Sequence, residues 1–109
     1  LLYGQQKLLE IVRAIATDAD LFLLDEPAAG VNRTLLRTIV QLILELKTAG
    51  KTVIIVEHDM GFVMEISDRA IVMDYGKEIA EGTPQEIQNN PKVLEAYLGT
   101  HHHIVHAPN

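Results

Sequence analysis

The chain has 109 residues, 48% of them hydrophobic, a formal net charge of −6 and no cysteine. This length predicts one domain with a real core, the acidic balance excludes a binder of nucleic-acid backbones, and the missing thiols exclude disulfides and thiolate metal sites. No apolar run reaches the roughly 18 residues needed to span a bilayer, because Arg37, Gln41 and Glu45 interrupt the long Leu/Ile-rich stretch, so membrane association is expected to be peripheral.

The chain opens on Leu1, already inside a patterned segment, and reads as a piece of a longer protein suited to a reducing cytosol. Leu1-Leu2-Tyr3-Gly4-Gln5-Gln6 forms a short loop before a helix over Lys7 to Thr17, whose Leu8, Leu9, Ile11, Val12, Ile15 and Ala16 share one apolar face. Asp18 to Asp20 turns into a strand, Leu21-Phe22-Leu23-Leu24, which ends in Asp25-Glu26 and the breaker Pro27. A loop follows, then Asn32 as N-cap of a long helix with apolar positions from Leu35 to Leu46, closed by Lys47 and Gly50. Thr52 to Val56 is a second β-branched strand ending in Glu57-His58-Asp59.

Strand, helix and strand make a βαβ unit, whose two strands run parallel. Asp25, Glu26 and His58 therefore leave the sheet at one edge, the carboxyl edge where open α/β sheets bind ligands. Farther on, Met60 to Ile66 reads as a short helix, Ala70 to Met73 as a strand, Asp74 to Lys77 as a tight turn and Glu78 to Glu81 as the returning edge strand. Thr83-Pro84-Gln85-Glu86 is a capping box, and Pro91 to Leu98 one more helix.

Adjacent carboxylates repel unless a cation or a proton-transfer task stabilises them. The chemistry that most often uses such a pair is Mg-nucleotide hydrolysis, in which one acid holds the metal and the other polarises the attacking water. The Gly-Gln loop at the start of a helix is a plausible anion cradle. Glu57 and Asp59 read as solvated flanks of His58.

In order and spacing these three sites resemble the ATP-binding cassette (ABC) ATPases. Leu1 to Gln5 is similar to the family's signature loop, and Leu21 to Glu26 to its Walker B strand. Ala29-Gly30-Val31-Asn32 stands at the D-loop position, and His58 at the switch histidine. Tyr3-Gly4-Gln5-Gln6, Glu26-Pro27-Ala28-Ala29-Gly30, Glu57-His58-Asp59-Met60 and the tail Ala80 to Pro84 with Glu95 to Gly99 resemble the ATP-binding subunits of branched-chain amino-acid importers.

The resemblance implies an α/β, P-loop NTPase-like fold: a parallel βαβ core with a C-terminal β-hairpin and short helices. Residues 1–99 would be the C-terminal part of the nucleotide-binding domain, without its Walker A region, and residues 100–109 a histidine-rich disordered tail. The cofactors implied are ATP and Mg2+, with Asp25 holding the metal through water and Glu26 and His58 catalytic. Leu2, Tyr3, Gly4 and Gln5, with Asn32 of the D-loop, would meet nucleotide in a head-to-tail dimer with a second cassette. Transmembrane permease subunits are the further partners implied, at the cytoplasmic side of the inner membrane, with no nucleic acid.

Two departures stand out. The family's signature serine is Leu2 here, which weakens closure of the composite site. No Gly-x-x-x-x-Gly-Lys-Ser/Thr occurs in the 109 residues, so this chain by itself is expected to bind ATP poorly and not to hydrolyse it. Importers of urea, amides or other amino acids, a non-catalytic interaction module, and an ABC-type DNA-repair or chromosome ATPase are the rival readings. His101, His102, His103 and His106 belong to the tail and read as a tag or natural extension before a metal site.

Overall fold

The structure is a computed structural model and describes residues 2–100. Leu1 and the tail carrying His101, His102, His103 and His106 lie outside them. The elements run α1 (Tyr3–Ala16), β1 (Leu21–Asp25), α2 (Arg33–Thr48), β2 (Thr52–Val56), α3 (Met60–Ile66), β3 (Ala70–Asp74), β4 (Lys77–Gly82), α4 (Pro84–Gln88) and α5 (Pro91–Thr100). They form two compact units, the first ending at His58 and the second beginning at Asp59.

The first unit is the βαβ crossover with α1 added. β1 and β2 pair in parallel, with Leu21 opposite Thr52 and Asp25 opposite Val56. α2 starts where the Asn32 side chain accepts the Leu35 N–H at 2.8 Å, which satisfies one of the helix's orphan donors. It stops in a Schellman closure, with the Gly50 N–H on Lys47 O at 2.9 Å and the Lys51 N–H on Leu46 O at 3.0 Å. Between these caps Ile39, Val40, Ile43 and Leu46 are buried along one stripe, and the helix packs on α1 and β2.

α1 begins at Tyr3, four residues before the predicted start at Lys7, so the expected loop at Tyr3 to Gln6 is the helix's first turn. The Gln5 side chain reaches back to accept the Leu2 N–H at 3.1 Å, and the Gln6 N–H bonds Leu2 O at 3.0 Å. Apolar periodicity could not reveal this turn, because polar end-capping and not burial starts it. Gly30, at φ +70, lies under the Tyr3 ring, and a Cβ there would come within 2.8 Å of Tyr3 Cε2. Gly30→Ala combines a left-handed backbone with that overlap, so we expect it to lower stability by about 1–3 kcal/mol, read as a lower melting temperature.

The two faces of the β1–β2 pair differ. Phe22 is buried and Leu24, Val53 and Ile55 are half-buried, whereas Leu21, Leu23, Ile54 and Val56 are 52%, 71%, 51% and 62% exposed. A parallel pair is apolar on both sides because both are normally covered, and the described residues cover one. The 109-residue chain should therefore self-associate through this face. Sedimentation velocity is expected to show oligomers that Leu23→Lys shifts toward monomer; a monomeric parent chain would contradict this.

In the second unit, the exposed Asp59 caps α3 by accepting the Phe62 N–H at 3.1 Å, so this solvated flank also has a structural task. β3 and β4 form an antiparallel hairpin with a register shift between Val72 and Met73, turning through Tyr75 and Gly76 at φ +49 and +77. Positive φ at both central residues is what a two-residue hairpin turn needs to match strand twist. Val72, Ala80, Ile87 and Val93 form the core, with Met60, Met64, Ala70 and Ile79 packed on it. The capping box is present: the Glu86 N–H donates to Thr83 Oγ1 at 3.2 Å and the Thr83 N–H to Glu86 Oε1 at 2.8 Å. The Thr83 amide holds the Glu86 carboxyl below its ordinary range.

Candidate functional site

Parallel pairing brings the ends of β1 and β2 to one edge. The Glu26 N–H extends the ladder by one bond, to Val56 O at 2.8 Å. There the chain turns sharply: Glu26 adopts φ +48, and the Ala29 N–H closes back on Glu26 O at 3.1 Å. His58 stands two residues beyond the end of β2, and its Nδ1 lies 3.0 Å from Glu26 Oε1. The His58 and Glu26 side chains are 76% and 46% exposed, so the pair is open to solvent. A carboxylate fixed by an imidazole at an accessible sheet edge can accept a proton from water while the ring's other nitrogen meets a ligand.

Glu57 was not legible as part of this site. Its Oε2 accepts the Ala28 N–H at 2.9 Å and its Oε1 the His58 N–H at 3.1 Å. Ligand atoms of Glu26, Glu57 and His58 all lie within 4.8 Å of one another. The signal was strand parity. Val53, Ile55 and Glu57 form the half-buried series of β2 and its extension, whereas Thr52, Ile54, Val56 and His58 are exposed.

Parity also separates the two adjacent acids. Asp25 continues the exposed series Leu21 and Leu23 and lines a hollow with Lys7, Glu10, Leu23 and Pro27. Its exposed carboxylate makes no hydrogen bond or ion pair among the described residues. The donor chemistry suits a hydrated divalent cation, which needs a free carboxylate and room for water.

The amino-terminal residues gather elsewhere in the same unit. Leu2 is 75% exposed. The Tyr3 ring rests on Gly30, with Lys7 Nζ 5.8 Å from its centroid. Gly4 lies so close to Leu35 that a Cβ would sit 2.7 Å from its Cδ2. Gln5 and Asn32 both spend their side chains on helix caps. Leu2 to Gln5 thus adjoin the Gly30–Asn32 loop and the start of α2, not the Glu26–His58 pair.

A family model described as "Branched-chain amino acid ATP-binding cassette transporter" matches residues 77–103. The chain is 48% identical over 100 residues to the high-affinity branched-chain amino acid transport ATP-binding protein LivG of Salmonella typhimurium, covering 91% of this chain and 39% of that protein. It is likewise 48% identical over 96 residues to a probable LivG of Archaeoglobus fulgidus, covering 88% of this chain and 37% of that one. The chain therefore spans about two fifths of the length of these relatives. Among solved structures, it superposes on an ATP-binding cassette of an ABC transporter in its ADP conformation with a TM-score of 0.78 at 41% identity, covering 91% of this chain and 41% of that one. A nucleotide-free ATP-binding cassette gives a TM-score of 0.79 at 42% identity, covering 89% and 40%. The fold is that of the P-loop NTPases, with parallel and antiparallel strand pairs in a mixed α/β chain. Over nine tenths of its length the chain has the fold of the ATP-binding cassettes, and its sequence is similar to those of branched-chain amino-acid transport ATP-binding proteins.

Proposed function

We propose that this chain is part of the ATP-hydrolysing subunit of an importer of branched-chain amino acids, and that it supplies the acid–base half of the nucleotide site. One observation carries the reading: the 3.0 Å contact between His58 Nδ1 and Glu26 Oε1 on the carboxyl edge of a parallel strand pair. Glu26 serves as general base toward the attacking water. His58 orients that carboxylate through Nδ1 and presents Nε2 to the terminal phosphate. Asp25, exposed and unengaged, would hold Mg2+, which would supply positive charge against the phosphates.

Leu2 to Gln5, beside the Gly30–Asn32 loop, face nucleotide held by a second cassette, so turnover requires a dimer. The chain has no Gly-x-x-x-x-Gly-Lys-Ser/Thr, and by itself it does not hydrolyse ATP. Among the described residues no helix is long and apolar enough to cross a membrane. In this reading the subunit works peripherally, docked on transmembrane permease subunits at the cytoplasmic face of the inner membrane.

The branched-chain solute is favoured over urea or amides by the family model that matches residues 77–103, from β4 onward. The test is ATP turnover by a complete cassette carrying this sequence. His58→Ala is expected to lower turnover about 100-fold or more, and parental turnover in that variant would overturn the reading.

A further inference from the structure

The turn that carries Glu26 is held in part from outside itself. Few residues other than glycine adopt φ +48, and such a conformation persists where surrounding contacts enforce it. Two of these contacts are main-chain bonds, from the Glu26 N–H to Val56 O and from the Ala29 N–H to Glu26 O. The third is a side chain: the half-buried Glu57 accepts the Ala28 N–H, two residues past Glu26, at 2.9 Å. The other oxygen of the same carboxylate accepts the His58 N–H at 3.1 Å. One carboxylate thus holds the backbone beside both members of the Glu26–His58 pair, through bonds that its charge strengthens. Because these oxygens already serve backbone donors, and His58 Nδ1 already serves Glu26, the three-residue cluster reads as an internal brace and not as an open metal site.

We infer that Glu57 is a positioning residue: it fixes the distance between the general base and the imidazole without itself touching the nucleotide. This rests on the ATPase reading given above. A proton-accepting carboxylate displaced by an ångström loses rate while substrate still binds, so the signature of Glu57 is a fall in kcat at unchanged KM.

The experiment compares Glu57→Ala and Glu57→Gln in a complete cassette carrying this sequence, with Mg-ATP as substrate and Glu26→Gln alongside. Glu57→Ala removes both acceptors and is expected to lower kcat about 10- to 100-fold at parental KM, with fast hydrogen exchange at the Ala28 amide. Glu57→Gln keeps an acceptor oxygen and should retain most of the turnover and a protected Ala28 amide. Parental kcat in Glu57→Ala, a loss confined to KM, or a Gln variant as impaired as the Ala variant would each overturn the assignment. If Glu57→Ala does not fold, Glu57→Met, which keeps the bulk but also lacks both acceptors, takes its place under the same criteria. Parental turnover in Glu26→Gln would instead remove the ATPase reading itself. An inactive Glu26→Gln with a fully active Glu57→Ala removes only the role given to Glu57.

Discussion

Glu26→Gln in a complete cassette should lower ATP turnover about 100- to 10,000-fold while leaving equilibrium ATP binding close to parental. The substitution is nearly isosteric, and the amide oxygen can still accept from His58 Nδ1, now 3.0 Å away. The strained turn is also kept, because the bonds at Glu26 N–H and Glu26 O are main-chain and indifferent to the side chain. What disappears is the capacity to take a proton from water. A large kcat effect without a binding effect therefore separates base chemistry from site architecture. Phosphate release and nucleotide binding measured on the same preparation check it. Parental turnover would remove Glu26 from the chemistry, whereas loss of binding would recast it as a structural residue.

The geometry behind that expectation is largely legible in the sequence. Two β-branched or apolar runs flanking a helix with apolar positions from Leu35 to Leu46 admit few arrangements, and a right-handed parallel crossover puts Glu26 and His58 on one edge. What was hidden depended on finer rules. Asp25 and Glu26 look like a pair in sequence, yet a strand's period of two puts Asp25 with Leu21 and Leu23 on the exposed face. The same period marks Glu57 as a covered residue, and reading it as a charged flank overlooked that continuation from Val53 and Ile55. The start of α1 at Tyr3 was hidden because its signal is a glutamine folded back onto the Leu2 amide, not burial. The division after His58 leaves no trace in composition, because Asp59 is at once the end of a polar cluster and the cap of α3.

Leu2→Ser is expected to act in the opposite direction, raising turnover about tenfold or more. Leu2 occupies the N-cap of α1 in extended backbone, at φ −70 and ψ 157, with no side-chain cap. Serine favours that conformation, and its hydroxyl could accept the Gln5 N–H while Gln5 Oε1 keeps the Leu2 amide, completing a reciprocal capping box. At 75% exposure the leucine gives up little packing, so α1 should gain about 1 kcal/mol, visible as a higher melting temperature whatever the nucleotide does. A hydroxyl facing nucleotide on the second cassette would add a hydrogen bond to a charged group, about 1.5–3 kcal/mol, and that term sets the rise in turnover. The two readouts part company usefully. A melting temperature that rises with unchanged or lower turnover would show that position 2 caps a helix but does not reach the nucleotide, and the composite site would have to be closed by other residues.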